Sequence, residues 1–270
     1  MPRVAPRKAF HERYGPWALV TGASSGIGEA LAREIAARRV SVALVARRED
    51  RLARLAVELR RDHGVDARSI ALDLSDERAI DAIVDATRDL SIGLVAANAG
   101  FGDKGPFVAR ERAELARMID VNCRATTLLC HAFTGKLLAR GRGGLLITSS
   151  TAAFQGTPLT AVYAATKAFD LLLAEGLHHE LAPHGVDVVA LCPGGTDTEG
   201  PARTGVDPTK VPMGLMNPRD VARAGLDALG KRAIVVPGAH NQLAVFATRA
   251  LPRGVASQLA GRMIRRVTGE

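Results

Sequence analysis

Apolar residues recur along the chain in short dense runs, separated by longer stretches with helical spacing. The runs are WALVTGA (17–23), VSVALVA (40–46), RSIALDL (68–74), IGLVAANAG (92–100), GLLITSS (144–150), VDVVALCPG (186–194) and AIVVPG (233–238). Nearly continuous rather than alternating, they predict strands buried on both faces. Between them, helical patterns fall near 26–38, 49–63, 76–90, 110–140, 161–182 and 218–230. Alternation of strand and helix through the whole body predicts one α/β domain, a Rossmann-type doubly wound parallel sheet of about seven strands with helices on both faces. Three segments stand outside this pattern: a basic leader at 1–15, a Gly-, Pro- and Thr-rich stretch at 195–217, and a helical extension at 240–270. An aperiodic loop as long as 195–217 in a compact domain is usually a functional lid or disordered.

Composition narrows the class. A chain of 270 residues, 47% hydrophobic and 24% charged, is long enough to bury a sizeable core and has ordinary globular content. No stretch approaches the roughly 20 uninterrupted apolar residues of a bilayer span. The opening MPRVAPRKAFHERYGP lacks the apolar core of a signal peptide, so a cytoplasmic location is the expectation. Three cysteines, Cys123, Cys130 and Cys192, are an odd number without CxxC spacing, which argues against a disulfide framework or zinc site and for buried thiols. Among the seven histidines, the adjacent His178 and His179 face different directions on a helix and make a poor metal pair.

Net charge of +8 raises nucleic acid as a partner, but the distribution argues against it. Residues 1–13 hold four Lys/Arg against one Glu, and 231–270 hold seven against one, leaving the body between them at −1. The ten aromatic residues are not interleaved with basic ones, so stacking platforms for bases are not expected.

Two motifs carry chemistry. The first strand ends in Thr21-Gly22-Ala23-Ser24-Ser25-Gly26-Ile27-Gly28 and runs directly into a helix. Glycines there allow a tight turn and close backbone approach to a pyrophosphate, and the helix N-terminus supplies unpaired N–H groups and a positive dipole. A glycine cluster alone would read as an ordinary turn; the strand–turn–helix context makes it a dinucleotide site. Further on, Tyr163 and Lys167 lie one helical turn apart on one face. A free tyrosine, ionising near pH 10, is a poor acid–base group at neutral pH. A neighbouring ammonium favours its phenolate.

The glycine spacing is GxxxGxG rather than GxGxxG, and with Thr21 ahead of it and Tyr163-x-x-x-Lys167 downstream the chain resembles the short-chain dehydrogenase/reductase family from about residue 17 to 200. The resemblance extends to Asn98-Ala99-Gly100, with Ala97 where the family usually has a further Asn, and to Pro193-Gly194 with Thr198 four residues on, where Thr196 replaces a hydrophobic residue. Asp73-Leu74 looks like the pair that contacts adenine. Ser150, 13 residues before Tyr163, has the separation of the family's catalytic serine; Ser149 beside it on the strand should point the other way. Asn122 matches the fourth member of the tetrad, which would hold a water connecting the lysine to solvent.

What the resemblance implies is hydride transfer from C4 of NADPH to a carbonyl carbon. Ser150 would hold the oxygen, Tyr163 protonate it, and Lys167 stabilise the phenolate and bind the nicotinamide ribose; no metal is required. Arg47 occupies the place of the family's NAD-selecting Asp, followed by Arg48; a guanidinium pairs with a 2′-phosphate that a carboxylate would repel, so NADP(H) is expected. The family commonly assembles dimers or tetramers through the helices at 110–140 and 161–182, implying a homodimer or homotetramer.

For the substrate, the sequence offers hints only. Val211, Met213, Leu215 and Met216 give the 195–217 loop an apolar character that suggests an apolar ketone or secondary alcohol. On a helical wheel for 255–267, Val255, Ala256, Leu259, Ala260, Met263, Ile264 and Val267 share one half, opposite Gln258, Arg262 and Arg265. Packing on the body or on a neighbouring subunit, a lid over a lipid-like substrate, and a helix on an anionic membrane surface all fit that pattern. Two alternatives to an enzyme follow: an NADP-binding sensor or scaffold without turnover, and a peripheral membrane protein acting through this helix.

Overall fold

A computed structural model describes residues 7–200, 204–211 and 213–268. The first six residues of the basic leader, four positions of the aperiodic loop (201–203 and 212) and the last two of the C-terminal extension therefore lie outside the described residues. Seven strands form one parallel sheet: β1 (Trp17–Thr21), β2 (Ser41–Ala46), β3 (Ala67–Ala71), β4 (Ile92–Ala97), β5 (Gly143–Thr148), β6 (Val186–Leu191) and β7 (Ile234–Val235). Their spatial order is β3-β2-β1-β4-β5-β6-β7.

Side-chain alternation along the strands builds two cores. Ala18, Val20, Val42, Leu44 and Leu146 face one side, where they meet Leu31 and Ile35 of α2 (Gly26–Ala36), Leu52 and Leu59 of α3 (Glu49–His63), and Val221 and Leu226 of α8 (Pro218–Ala228). Leu19, Val45, Val95, Leu145 and Ile147 face the other, packed by Ile83 of α4 (Ala79–Ala86), Leu129 and Phe133 of α6 (Ala125–Arg140), and Leu171 and Ala174 of α7 (Ala161–Leu181). Both faces of the central strands are dry, which is why their sequences are apolar without period.

The expected helix over 110–140 is interrupted. It is α5 (Arg112–Ile119), one π turn over Asp120–Arg124, and then α6. A π turn adds one residue to the hydrogen-bonded ring and often marks a functional position; Asn122 sits inside it and is fully buried.

Within the basic leader, residues 7–14 form a helix, α1 (Arg7–Tyr14), that docks on the sheet. Phe10 and Tyr14 are buried with their rings 4.7 Å apart. The Tyr14 hydroxyl donates to Asp187 Oδ2 at 2.6 Å, and Arg13 Nη2 donates to Asp187 Oδ1 at 2.7 Å. Burial first, then the bond to Asp187, hold the Tyr14 phenol well above its ordinary value, so it stays protonated and donating. At the other end, α9 (Ala239–Ala250) and α10 (Arg253–Thr268) follow β7. Among the described residues no helix is long and apolar enough to cross a membrane.

Asp187→Ala is expected to lower stability by about 1–3 kcal/mol, because it strands a buried phenol and a partly buried guanidinium together. A urea midpoint unchanged from the parent chain would show that α1 contributes nothing through this clamp.

Candidate active site

The sheet order reverses at β1, with β2 on one side and β4 on the other. Loops leaving the carboxyl ends of those strands diverge there, and the gap between them is where open α/β sheets bind ligands. An open cleft of about 780 Å³ occupies it. Its walls include Gly22, Ser24, Ser25, Gly26, Ile27 and Gly28 from the glycine turn, Arg47 and Arg48 after β2, Asp73 and Leu74 after β3, and Asn98, Ala99 and Gly100 after β4. Tyr163, Lys167, Pro193 and Thr198 complete the predicted set that lines it. Phe101, Gly102, Arg117 and Glu199 line it as well, without having been picked out by any motif.

The glycine turn is as tight as its sequence suggests. Gly22 has φ +67, and a Cβ on Gly28 would lie 2.2 Å from the Gly22 carbonyl oxygen, so no side chain fits. Ser25 precedes α2 but makes no side-chain capping bond, leaving the first-turn N–H groups of the helix without that partner. The uncapped start of the helix thus opens onto the cleft.

Thr21 does not line the cleft. Its Oγ1 accepts the N–H of Asn98 at 3.0 Å and of Ala99 at 3.0 Å, while Asn98 Nδ2 donates to the Thr21 carbonyl at 3.1 Å. The threonine fastens the β4 loop to the glycine turn, a positioning role. Thr196 is likewise buried; its hydroxyl donates to the Gly194 carbonyl at 3.0 Å, and the residue bridges to Met216, drawing together the two ends of the 195–217 loop. Gly194 is packed against Asn241 of α9 rather than facing the cleft.

The two arginines after β2 take different routes. Arg47 is half exposed and 3.7 Å from Asp73 Oδ2. Arg48 reaches over the glycine turn, donating from Nε to Ser24 Oγ at 3.1 Å and from Nη2 to Ser25 Oγ at 2.7 Å. Its Nη1 donates to the Glu199 carboxylate at 2.9 Å, and Arg51 Nη1 donates to the same carboxylate at 2.6 Å. Those two bonds hold the Glu199 carboxyl down to about 2. Asp73 is also anionic: burial works against its charge, but bonds from the Ser75 N–H and hydroxyl, then Arg117 and Arg47, hold it below the usual range.

At the far end of the cleft, Lys167 is buried and donates to the Thr148 carbonyl at 2.9 Å and to Asp170 Oδ2 at 2.9 Å. Gly100 lies close to it; a Cβ there would be 3.1 Å from Lys167 Nζ and 3.1 Å from Asn122 Oδ1. The Tyr163 ring packs against Gly102, and Tyr163 also borders a cavity of about 40 Å³ whose lining mixes Phe107, Leu115, Met118 and Leu159 with Asp103, Lys104 and Arg110. Ser149 and Ser150 point to different places, as strand alternation requires: Ser149 Oγ donates to the Lys167 carbonyl at 2.7 Å, whereas Ser150 Oγ accepts the Ala152 N–H at 3.1 Å beside Pro193. Contrary to the expectation, Ser149 is among the residues lining the cleft, whereas the buried Ser150 is not.

The Asn122 side chain is more heavily committed than its sequence position implied. Nδ2 donates to the Phe101 carbonyl at 3.0 Å and to Thr166 Oγ1 at 2.9 Å, and Oδ1 accepts the Phe101 N–H at 3.0 Å. With both amide hydrogens used, the side chain pins the loop after β4 to α7.

The C-terminal helix divides the apolar half seen on its wheel. Ala256, Gly261 and Val267 are buried, with Gly261 against Pro158 and the Val267 carbonyl accepting the Asp207 N–H at 2.8 Å. Val255, Leu259 and Met263 form a separate exposed stripe. Thus α10 lies across the segments that border the site. Of the apolar residues in the aperiodic loop, Leu215 and Val211 fold onto Gly195, whereas Met213 is 80% exposed and lines nothing.

Comparison with known proteins bears on the family and the fold. A family model described as short chain dehydrogenase matches residues 16–207. The chain is 32% identical over 254 residues to the 7beta-hydroxysteroid dehydrogenase of Clostridium sardiniense, covering 94% of this chain and 97% of that one. A solved structure from a study of 7beta-hydroxysteroid dehydrogenase stereoselectivity superposes with a TM-score of 0.85 at 27% identity, over 93% of this chain and 98% of the other. A short-chain dehydrogenase from Sphingobium yanoikuyae, solved in complex with NADPH, gives 0.77 at 33% identity over 87% and 94%.

The three thiols sit around this site. Burial, above all, pushes Cys123 up to about 11 and Cys130 and Cys192 up to about 12. None is expected to react with a disulfide reagent at pH 8 in the folded protein, and all three should titrate in denaturant. Rapid labelling of a native thiol at that pH would contradict the burial described.

Proposed function

We propose that this chain, which belongs to the short-chain dehydrogenase family, is an NADP(H)-dependent oxidoreductase interconverting a ketone and a secondary alcohol with an apolar body. The observation that carries the reading is that one cleft is lined both by the Tyr163–Lys167 pair and by the glycine turn at 22–28. The turn fits a dinucleotide because it has room for backbone approach where a Cβ would collide, and because its helix opens without a side-chain cap. When bound, NADPH supplies the hydride that the carbonyl carbon receives.

The chain's own residues supply the rest. Ser150, next to the cleft-lining Ser149, orients the substrate oxygen once substrate is bound, and Tyr163 donates its phenol proton to that oxygen as the alcohol forms. Lys167, fixed by Thr148, places its ammonium where it favours the phenolate left behind. Thr21 and Asn122 act at one remove, by anchoring the backbone of residues 98–101 against the turn and the helix.

Arg48 supports NADP(H) over NAD(H). Its guanidinium spans from the glycine turn to a carboxylate, with Arg51 beside it, so the two cations already form a seat for an anion where a 2′-phosphate would be read. Arg47 adds positive charge on the adenine side, next to Asp73. An apolar substrate is supported first by the name of the Clostridium relative, whose substrate is a steroid alcohol, and second by Phe107, Leu115, Met118 and Leu159, which stand beside Tyr163 among charged neighbours. The exposed Leu128 of α6 with Phe169 and Leu172 of α7 supports assembly with a second copy through those helices.

NADPH is expected to bind about tenfold or more tighter than NADH in a fluorescence titration, with Arg48→Ala removing most of that preference and leaving NADH affinity unchanged. Equal affinities in the parent chain would sink the NADP(H) assignment. Tyr163→Phe should lower turnover of a ketone panel by roughly 10²–10⁴-fold while leaving NADPH binding nearly intact. Retained turnover would remove Tyr163 as the acid.

A further inference from the structure

Lys167 has a charged partner that the proposed chemistry does not use. Asp170, one helical turn further along α7, is 1% exposed, and its Oδ2 lies 2.9 Å from Lys167 Nζ; the lysine itself is 4% exposed. The other carboxylate oxygen, Oδ1, is buried without a hydrogen-bond partner among the described residues. A buried carboxylate with one oxygen unsatisfied is costly, and it persists where something compensates the cost. Lys167 is that compensation, and the dependence runs both ways.

An ammonium has three N–H donors. At Lys167 one goes to the Thr148 carbonyl and one to Asp170, on the strand side and the helix side of the cleft floor. The third is left for the cleft, on which Lys167 opens beside Gly100. Two anchors thus determine the direction of the remaining donor. Take away Asp170, and the lysine is a fully buried cation held by one neutral carbonyl.

We propose that Asp170 is a positioning residue for Lys167: it keeps the ammonium charged inside the protein and aims its free N–H at the cofactor ribose and Tyr163. The proposal rests on the role given to Lys167 above. The titratable groups facing the pair are Tyr163 on α7, Cys123 on the π turn, Cys130 on α6 and Cys192 after β6. All three thiols are pushed up by burial and stay neutral at working pH. Burial pushes the Asp170 carboxyl up as well, and the Lys167 ammonium 2.9 Å away is what opposes that, so Asp170 is the carboxylate that balances the lysine and depends on it. Burial acts to strip the proton from Lys167; Asp170, ahead of Tyr163, outweighs it and holds the lysine above its ordinary value. The sign follows. A raised lysine keeps its charge through the working range and loses it only as the pH rises through that elevated value. Without Asp170, burial loses its main opponent and the loss of charge moves to lower pH.

The test uses NADPH affinity, measured by fluorescence from pH 6 to 10, in a Tyr163→Phe background so that the tyrosine does not titrate. In that background, affinity should be flat on the basic side. Adding Asp170→Asn, which keeps the shape and an acceptor for Nζ but removes the charge, should weaken binding about threefold at pH 7 and about tenfold or more by pH 9. Asp170→Ala, whose cavity admits water, serves as the second variant, with melting temperatures recorded for both. A lowered melting temperature with an unchanged basic limb would show a merely structural role and overturn the proposal. Lys167→Met separates the two readings: it should weaken NADPH at every pH. If it binds as tightly as the parent, the role of Lys167 itself fails; if it binds weakly while Asp170→Asn behaves like the parent, only the role of Asp170 fails.

Discussion

Because β1 pairs with β2 on one side and β4 on the other, the chain crosses over itself in the middle of the sheet. All strands are parallel, so every carboxyl end lies on one edge, and the loops after β1 and β4 must part there. That geometric necessity creates the cleft. Thr21 then sets its floor, because one buried hydroxyl accepts two backbone N–H groups from the β4 loop and ties it to the glycine turn. The cofactor half and the reacting half of the site are in register through this contact.

The reacting half is held by polar groups taken out of water. Lys167, Asn122, Thr166, Ser149 and Thr148 are buried together, and each would cost a few kcal/mol if left unpaired, roughly 1–3 for a neutral group and more for a charge. Nearly every one is paired: Asn122 to Phe101 and Thr166, Ser149 to Lys167, Lys167 to Thr148. A network satisfied in this way has few alternative arrangements, so it fixes the lysine and the loop beside it more narrowly than apolar packing would. The π turn belongs to the same device. By inserting a residue between α5 and α6 it brings Asn122 inward, against the loop after β4.

The outer elements bear on what the site admits. Helix α10 lies on Pro158 and accepts a backbone bond from Asp207, so the C-terminal extension and the 195–217 loop are linked mechanically. Motion of either would be felt by the other. The positive charge concentrated at the two ends of the chain has separate outlets: Arg13 clamps α1 to β6, while Arg262, Arg265 and Arg266 stay at the surface of α10.

Much of this was legible in the sequence. Seven apolar runs became seven strands, since a strand buried on both faces has no polar period to hide it, and the glycine turn was readable because only glycine tolerates Gly22 and Gly28 at such close approach. Other features had no local signal. Whether Arg47 or Arg48 reaches the turn depends on where two long side chains end, and residues 7–14 read as a leader because the partners of Tyr14 lie on β5 and β6, more than a hundred residues away. The break in the helix over 110–140 left no Gly or Pro to announce it. Asp170 was visible three residues from Lys167, but helical spacing alone does not distinguish a solvated pair from a buried one. The chain by itself determined the alternation of elements and the residues that approach a cofactor, because those are local requirements of backbone and periodicity. Only the tertiary structure decided which charges are buried together, because burial depends on every element that packs around them.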